Sequence, residues 1–181
     1  FIKKNKYNYI NAINKVTMNI VEGDRIGLIG PNGSGKSTFL KLLSGCLEPT
    51  SGYIKRYGNI SSILNLAMGL DGELTGIENI KLFSAIKNLS SEQAENFLIE
   101  VSNFSELGKF LNMTVETYSD GMKLRLAFAI ATSDIPDVLL LDEIVNVGDS
   151  SFSLKASERI NSLIDNSKVM ILATHNEEIM N

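Results

Sequence analysis

A glycine-rich stretch near the amino terminus has the residue types needed to bind phosphate. It matches G-x-x-x-x-G-K-[ST] and comprises Gly30, Pro31, Asn32, Gly33, Ser34, Gly35, Lys36, Ser37 and Thr38. Gly33 and Gly35 let the backbone curl so that N–H groups point at phosphate oxygens, and Lys36 reaches the β- and γ-phosphates. The Ser37 hydroxyl is a suitable Mg2+ ligand. A glycine-rich turn could match by chance, but the flanking apolar run and helical pattern favour nucleotide binding.

Two adjacent carboxylates, Asp142 and Glu143, follow the apolar run "VLLL". A buried strand would deliver them to the edge of the phosphate site. We predict that Asp142 holds Mg2+ through water and that Glu143, which projects differently, polarises the attacking water. The alternative is that both cap the next helix or pair with surface cations.

His175, the single histidine of the chain, follows a second apolar run, "VMILAT". A lone histidine is more often structural than catalytic. Its place at a strand end nevertheless favours a hydrogen bond to the γ-phosphate, which would sense the loss of that group.

The elements around these residues indicate an α/β fold. Alternating and apolar runs predict strands in "YNYINAINKVTMNIVEGDRIGLIG" and "YIKRYGNISSIL", and a helix is predicted from Lys36 to Gly45. Residues 75–133 are predicted to be mostly helical, with a capping box at Ser90 and Gln93. The final third returns to strands, with the helical "SLKASERINSLI" between them. We therefore expect parallel strands with functional groups at their carboxyl ends.

Composition narrows the class of protein. The 181 residues are 44% hydrophobic and carry a net charge of -4, which predicts a globular domain and no nucleic-acid partner. The single Cys46 excludes an internal disulfide and gives no metal-ligand spacing. The apolar runs are far shorter than the roughly 20 residues that span a bilayer, so membrane work would need a partner.

Together these motifs resemble the nucleotide-binding subunit of an ATP-binding-cassette (ABC) transporter. The phosphate loop, "YSDGM" at residues 118–122, "VLLLDE" and His175 occur in that family's order. The resemblance implies a P-loop NTPase fold with a RecA-like core, an amino-terminal antiparallel β subdomain and an inserted α-helical subdomain. It implies one ABC ATPase domain over residues 1–181, with the core at 1–65 and 136–181 and the helical subdomain at about 66–135.

The resemblance also implies a head-to-tail homodimer that binds ATP. In such a dimer, Ser119 and the N–H groups around Gly121 would lie at a helix N-terminus facing the γ-phosphate of the partner's ATP. The alternative is that Ser119 merely caps a buried helix whose inward stripe is Leu124, Phe128 and Ala131. Ser119 can do both.

Two further functional positions of the family can be assigned to residues of this chain less directly. Tyr7 lies where an aromatic side chain stacks on adenine, with Tyr9 as a competing choice and strand packing as the alternative for both. Asp149 matches an acidic residue that contacts the opposite subunit. These assignments are implied by the resemblance alone.

The chain departs from the family pattern at several positions. Asp120 and Met122 replace the usual glycine and glutamine of the signature. We expect Asp120 to face solvent or a basic residue such as Arg125, because a carboxylate repels a triphosphate. The glutamine that links nucleotide to the membrane partner is missing, and Asn65 or Leu66 occupies its expected position.

One branch of the family is especially similar. "YSDGM" with "LRLAFAIA", "ELTGIENI" and "VGDSSF" look like subunits that export lipid-linked polysaccharides such as teichoic acid or O-antigen. This implies a separate integral-membrane permease and a peripheral position on the cytoplasmic face of the bacterial inner membrane. The alternatives are a non-transport ABC ATPase acting on ribosomes or DNA, and an ATP-binding switch with little hydrolysis.

Overall fold

The computed structural model describes residues 11–63, 69–142 and 150–175, which form an α/β fold as predicted. The strands are β1 (Arg25–Ile29), β2 (Ile60–Ile63), β3 (Val138–Asp142) and β4 (Val169–Thr174). The α-helices are α1 (Lys36–Ser44), α2 (Gly76–Ile86), α3 (Ser91–Ser105), α4 (Asp120–Ala131) and α5 (Ser150–Asn166). Two 3-10 helices, Gly108–Asn112 and Val115–Thr117, lie between α3 and α4.

The strands form one parallel sheet in the order β1-β4-β3-β2. Ile29 pairs with Thr174, and Asp142 pairs with Ala173. The carboxyl ends of β1, β4 and β3 therefore lie side by side, with β4 in the middle. The sheet therefore brings the start of the glycine-rich loop, Asp142 and His175 to the same edge.

Both faces of the sheet are buried, which explains why β3 and β4 are almost wholly apolar. Successive side chains on a strand point to opposite faces. Leu140 and Ile171 accordingly pack with Leu40 of α1, whereas Leu139 and Leu172 pack with Leu163 of α5. Helices α1 and α5 thus cover opposite faces of the sheet.

The helices between β2 and β3 begin at side chains that cap them. Ser90 and Gln93 form the predicted capping box of α3, and Thr75 and Glu78 form a second one at α2. Hydrogen bonds from the backbone N–H of Thr75 and then from its hydroxyl hold the pKa of Glu78 below its ordinary value. A helical subdomain bounded at about residues 66 and 135 stays a prediction.

The predicted antiparallel strands near the amino terminus do not form in residues 11–24 or 53–59. An alternating pattern yields a strand only when a neighbouring strand takes its backbone hydrogen bonds and covers its apolar side. Here Val16, Val21 and Tyr57 are 55%, 54% and 79% exposed. Residues 1–10, which include part of the predicted strand, lie outside the described residues.

Three phenylalanines join α3, α4 and α5. Phe104, Phe128 and Phe152 have ring centroids 5.7 to 6.1 Å apart, with one stacked and two edge-on contacts. Such aromatic pairs add about 0.5–1.5 kcal/mol beyond the burial of their surface. The helical region is therefore anchored to α5 by an aromatic cluster, which we call the Phe104–Phe128–Phe152 cluster.

Replacement of Phe128 with alanine should lower the free energy of unfolding by about 3–5 kcal/mol. The ring is fully buried and touches both other rings, so its loss leaves a cavity. Urea denaturation measures the change. Leu154→Ala is the matched control, because Leu154 is 71% exposed on α5 and its truncation should cost less than about 0.5 kcal/mol. Equal losses in the two variants would contradict the role of the cluster.

Candidate functional site

The glycine-rich loop joins β1 to α1 and takes a conformation that glycine favours. Gly33 and Gly35 have φ of +81° and +97°. A Cβ on Gly35 would lie 2.5 Å from the carbonyl oxygen of Ala12, which is too close for any side chain. The sequence-based expectation that these glycines let the loop curl agrees with this geometry.

The amino-terminal end of α1 faces this loop without any acidic or capping side chain. Gly35 is the N-cap residue and contributes no side-chain hydrogen bond, and the first turn of α1 contains no acidic residue. The first N–H groups of a helix have no partner within the helix, and the helix dipole makes this end positive. The end of α1 is therefore suited to an anion.

Lys36 adds a full positive charge inside the loop. Its Nζ donates hydrogen bonds to the carbonyl oxygens of Gly30 at 2.6 Å and Pro31 at 3.2 Å. The backbone N–H of Ser34 also donates to the Pro31 carbonyl, at 3.2 Å. The ammonium group is thus held over the loop, where phosphate oxygens can replace the carbonyl oxygens as acceptors.

A pocket of about 540 Å3 lies over this loop and reaches β3. The described residues that line it are Asn11, Ala12, Asn32, Gly33, Ser34, Gly35, Lys36, Ser37, Thr38 and Asp142. Loop and carboxylate, predicted separately from sequence, therefore share one cavity.

The pocket has oxygen donors that suit Mg2+. The Ser37 hydroxyl and the Asp142 carboxylate both line it. Mg2+ is commonly bound by one or two protein oxygen ligands together with substrate phosphates and water. Within the described ranges no group of three or more His, Cys, Asp or Glu side chains could hold a metal ion. The donor set fits a shared protein–phosphate magnesium site.

His175 follows β4 at the same edge of the sheet, and its side chain is exposed. It is not among the described residues that line the pocket. The structure therefore puts His175 between the ends of β1 and β3 in the order of the sheet, but not in contact with the cavity. Its proposed contact with the γ-phosphate stays a prediction.

Sequence reasoning missed Asn11 and Ala12, which also line the pocket. Their residue types indicate no ligand. The only sequence signal for this segment was the expectation that Tyr7 or Tyr9, shortly before it, stacks on adenine. Their contribution depends on how residues 11–12 pack against Gly35, which no local pattern encodes.

The start of α4 is exposed and separate from this pocket. Ser119 caps α4, because its Oγ accepts a hydrogen bond from the Met122 N–H at 3.2 Å. Ser119, Asp120 and Gly121 are all exposed, and none of them is among the described residues that line the pocket. The solvent-facing position expected for Asp120 agrees with this.

The alternative interpretation of α4 as a simple amphipathic helix accounts for only part of it. Phe128 is buried as expected, but Leu124 and Ala131 are only partly buried. The buried run extends instead from Leu126 to Ile130 without interruption. Contacts with α3, β2 and Phe152 of α5 cover more than one face of the helix.

Tyr118 fastens the residue before Ser119 to the rest of the helical region. Its side chain is buried, and its hydroxyl donates a hydrogen bond to the Phe110 carbonyl at 2.7 Å. Burial raises the pKa of the Tyr118 phenol, although a hydrogen bond with the Gly76 backbone opposes this. A Cβ on Gly76 would lie 2.6 Å from the Tyr118 hydroxyl, so this close packing requires glycine. The residue that precedes the exposed start of α4 is thus held in place by packing and by a hydrogen bond.

Several predicted site residues lie outside the described residues. They are Tyr7, Tyr9, Asn65, Leu66, Glu143 and Asp149. Their roles stay predictions. None of the helices in the described ranges is long and apolar enough to cross a membrane.

Comparison with known proteins points to one family. The model of the ABC transporter family matches residues 13–146. The chain is 39% identical over 171 residues to the O-antigen export system ATP-binding protein RfbE of Yersinia enterocolitica, covering 94% of this chain and 72% of the relative. It is 39% identical over 175 residues to the teichoic acids export ATP-binding protein TagH of Staphylococcus haemolyticus, covering 97% and 66%.

A third relative shows how much longer some of these proteins are. The O-antigen export system ATP-binding protein RfbB of Myxococcus xanthus is 42% identical over 166 residues, which cover 92% of this chain but 38% of that protein. The chain thus spans between 38% and 72% of the length of these three relatives.

Solved structures agree with the fold. The ATP binding subunit of an ABC transporter matches with a TM-score of 0.75 and 26% identity, over 96% of this chain and 77% of that one. A dimeric, post-hydrolysis state of the ATP-binding cassette MJ0796 bound to ADP and Pi matches with a TM-score of 0.71 and 26% identity, over 93% and 82%.

Proposed function

The chain belongs to the ABC transporter family, and on that premise we propose that it binds and hydrolyses ATP between two copies arranged head to tail. The observation that carries this is the shared pocket, in which the loop between β1 and α1 lies beside Asp142 of β3. An uncapped helix start, an ammonium group and a carboxylate at one cavity suit a magnesium–triphosphate complex. The dimeric cassette among the similar structures supports the pairing.

Each of the predicted site residues has a different role in ATP hydrolysis. Lys36 and the N–H groups of the loop neutralise the charge that develops on the transferred phosphoryl group. Ser37 and Asp142 would hold Mg2+, which would supply positive charge against the phosphate oxygens. Glu143, the residue after Asp142, orients the attacking water for in-line displacement. His175, beyond the end of β4, hydrogen-bonds the γ-phosphate.

The second copy completes each site through the start of α4. Ser119 and Gly121 are exposed and do not line the pocket of their own chain. A helix N-terminus attracts an anion, so this end is suited to the γ-phosphate held by the partner. Closure of the two copies excludes water and completes the catalytic geometry.

We further propose that hydrolysis powers export of a lipid-linked polysaccharide of the teichoic acid or O-antigen type through a separate permease. The names of the relatives support this substrate class. The chain would then act as a peripheral subunit on the cytoplasmic face of the bacterial inner membrane. Affinity purification from membranes, followed by identification of the integral-membrane partner, tests this part. Recovery of ribosomes or DNA in place of a polytopic membrane protein would contradict it.

Mixing two inactive variants tests the head-to-tail arrangement. Lys36→Ala disables the phosphate loop, and Gly121→Asp adds a carboxylate where the partner's γ-phosphate would lie. A Cβ on Gly121 has its nearest neighbour, Ser119 Oγ, at 3.9 Å, so the second substitution should not disturb the fold. Each variant alone should be inactive. The mixture should recover about a quarter of wild-type hydrolysis, because half of randomly assorted dimers keep one intact site of two.

Phosphate release at fixed total protein measures this recovery. Gly121→Ala is the control for the carboxylate, since it adds only a methyl group. A mixture that stays as inactive as its two components would show that the signature and the phosphate loop act within one chain or not at all.

A further inference from the structure

Among the described residues, an ion cluster of Glu106, Arg125 and Lys155 joins α4 to α5 next to the Phe104–Phe128–Phe152 cluster. Glu106 Oε1 accepts a hydrogen bond from Lys155 Nζ at 2.7 Å, and Glu106 Oε2 lies 3.7 Å from Arg125 Nη1. Glu106 follows α3, Arg125 belongs to α4 and Lys155 belongs to α5. We call this set the Glu106 bridge. One carboxylate thus contacts one cation from α4 and one from α5.

The cations of the bridge also lie over the aromatic rings. The Arg125 guanidinium is 4.8 Å from the centroid of Phe152, and Lys155 Nζ is 4.7 Å from that of Phe104. Cation–π contacts are stronger where water is excluded. The side chain of Arg125 is only 18% exposed. Helix α4 is therefore tied to α5 by both charge and ring contacts.

The backbone of Glu106 has a conformation that glutamate disfavours. Its φ is +57° and its ψ is +25°, the left-handed region in which glycine is the usual residue after a helix. Such a conformation of a non-glycine residue is strained and persists only where the surrounding structure holds it in place. Glycine at this position would remove the strain, but it would also remove the carboxylate. The contacts of that carboxylate give a reason for glutamate here.

We propose that Glu106 is a positioning residue that holds the signature end of α4 in a fixed relation to α5. This inference rests on the proposed function. Helix α4 presents Ser119 and Gly121 to the ATP of the partner. Helix α5 packs through Leu163 on Leu139 of β3 and Leu172 of β4, in the sheet that carries the chain's own glycine-rich loop. The Glu106 bridge thereby links the geometry of one ATP site to that of the other.

Two variants distinguish a role of Glu106 in positioning α4 from a role in stabilising the folded chain. Glu106→Gln keeps the shape and the strained backbone but removes the charge, whereas Glu106→Gly removes both the charge and the strain. Both should lower the maximal rate of ATP hydrolysis about 5-fold or more, since a displacement of about 1 Å caused far from the reacting atoms can cost up to about 100-fold in rate. The dissociation constant for ATP on the monomer should stay unchanged, because the bridge is not part of the phosphate pocket. Phosphate release and nucleotide titration of the 181-residue chain measure the two quantities.

Asn88→Gly is the matched control. Asn88 follows α2 with φ of +53°, so its replacement also relieves a left-handed backbone without touching the bridge. It should leave the rate unchanged. In a Lys155→Met background, Glu106→Gln should have a smaller effect than in the wild type, because the two residues act through one contact.

The outcomes distinguish this proposal from the proposed function. Wild-type rates in both Glu106 variants, or losses that match a fall in folded protein by circular dichroism, would overturn the positioning role. If Lys36→Ala and Gly121→Asp still abolish hydrolysis in that case, the proposed function stands. A wild-type chain that does not hydrolyse ATP would overturn both.

Discussion

Replacing Lys36 with alanine should reduce ATP hydrolysis at least about 100-fold, the usual cost of removing one preorganised group that stabilises developing charge. Lys36 Nζ is held over the loop by the carbonyl oxygens of Gly30 and Pro31, within the pocket that Asp142 also lines. No other lysine or arginine among the described residues lines this pocket. We therefore expect ATP affinity to fall as well, since the ammonium group binds both the ground state and the transition state.

Steady-state phosphate release and titration with a fluorescent nucleotide measure these losses. The fold should survive, because α1 is anchored by Leu40, which is fully buried against the sheet. Lys41→Ala is the matched control, since it removes a lysine from the last turn of the same helix. Hydrolysis and nucleotide affinity equal to those of the control would exclude the loop as the phosphate site.

Glu143→Gln should abolish turnover while ATP binding remains. The substitution keeps the size of the side chain and its ability to hydrogen-bond water, but the amide cannot act as a base. Loss of general-base assistance costs about 10²- to 10⁴-fold. Asp142, the residue before Glu143 in the sequence, is the last residue of β3 and lines the pocket over the glycine-rich loop.

Because bound ATP would no longer be consumed, the closed dimer should accumulate in this variant. Size-exclusion chromatography with light scattering, with and without magnesium–ATP, detects the change from one copy to two. Glu95→Gln is the control, since Glu95 is exposed on α3. Turnover at the wild-type rate in Glu143→Gln would refute the assignment of the base, and failure to bind ATP would show that the substitution damages the pocket instead.

Taken together, the two variants separate binding from chemistry. Lys36→Ala should fail at both steps, whereas Glu143→Gln should fail only at the second. An ATP-binding switch with little hydrolysis would give a different pattern, because its wild type would already behave like Glu143→Gln.

Local structure followed from the sequence where short-range interactions decide it. The helix predicted from Lys36 to Gly45 forms over Lys36–Ser44, and Gly45 ends it in the left-handed conformation. The capping box of Ser90 and Gln93 forms as predicted. Such features depend on side chains and backbone groups within a few residues of one another, so a single sequence carries the information.

The strands near the amino terminus show where such reasoning fails. Apolar and polar residues alternate there, but residues 11–24 and 53–59 are not strands. A strand needs hydrogen-bond partners that lie far away in the chain, and the pattern of one segment says nothing about where its partner lies.

The sequence by itself determined which residue types could bind phosphate and Mg2+, namely Lys36 and Ser37 in a glycine-rich loop and the carboxylate of Asp142. It also determined a helix capped by Ser119. Only the tertiary structure decided how these are arranged. The order β1-β4-β3-β2 brings the loop and Asp142 to one pocket, adds Asn11 and Ala12 to it, and keeps the start of α4 apart. The Glu106 bridge likewise appears only when three helices meet. Residue types and their spacing determine interactions between residues that are close in the sequence. Contacts between residues that are far apart in the sequence depend on how the whole chain buries its apolar surface.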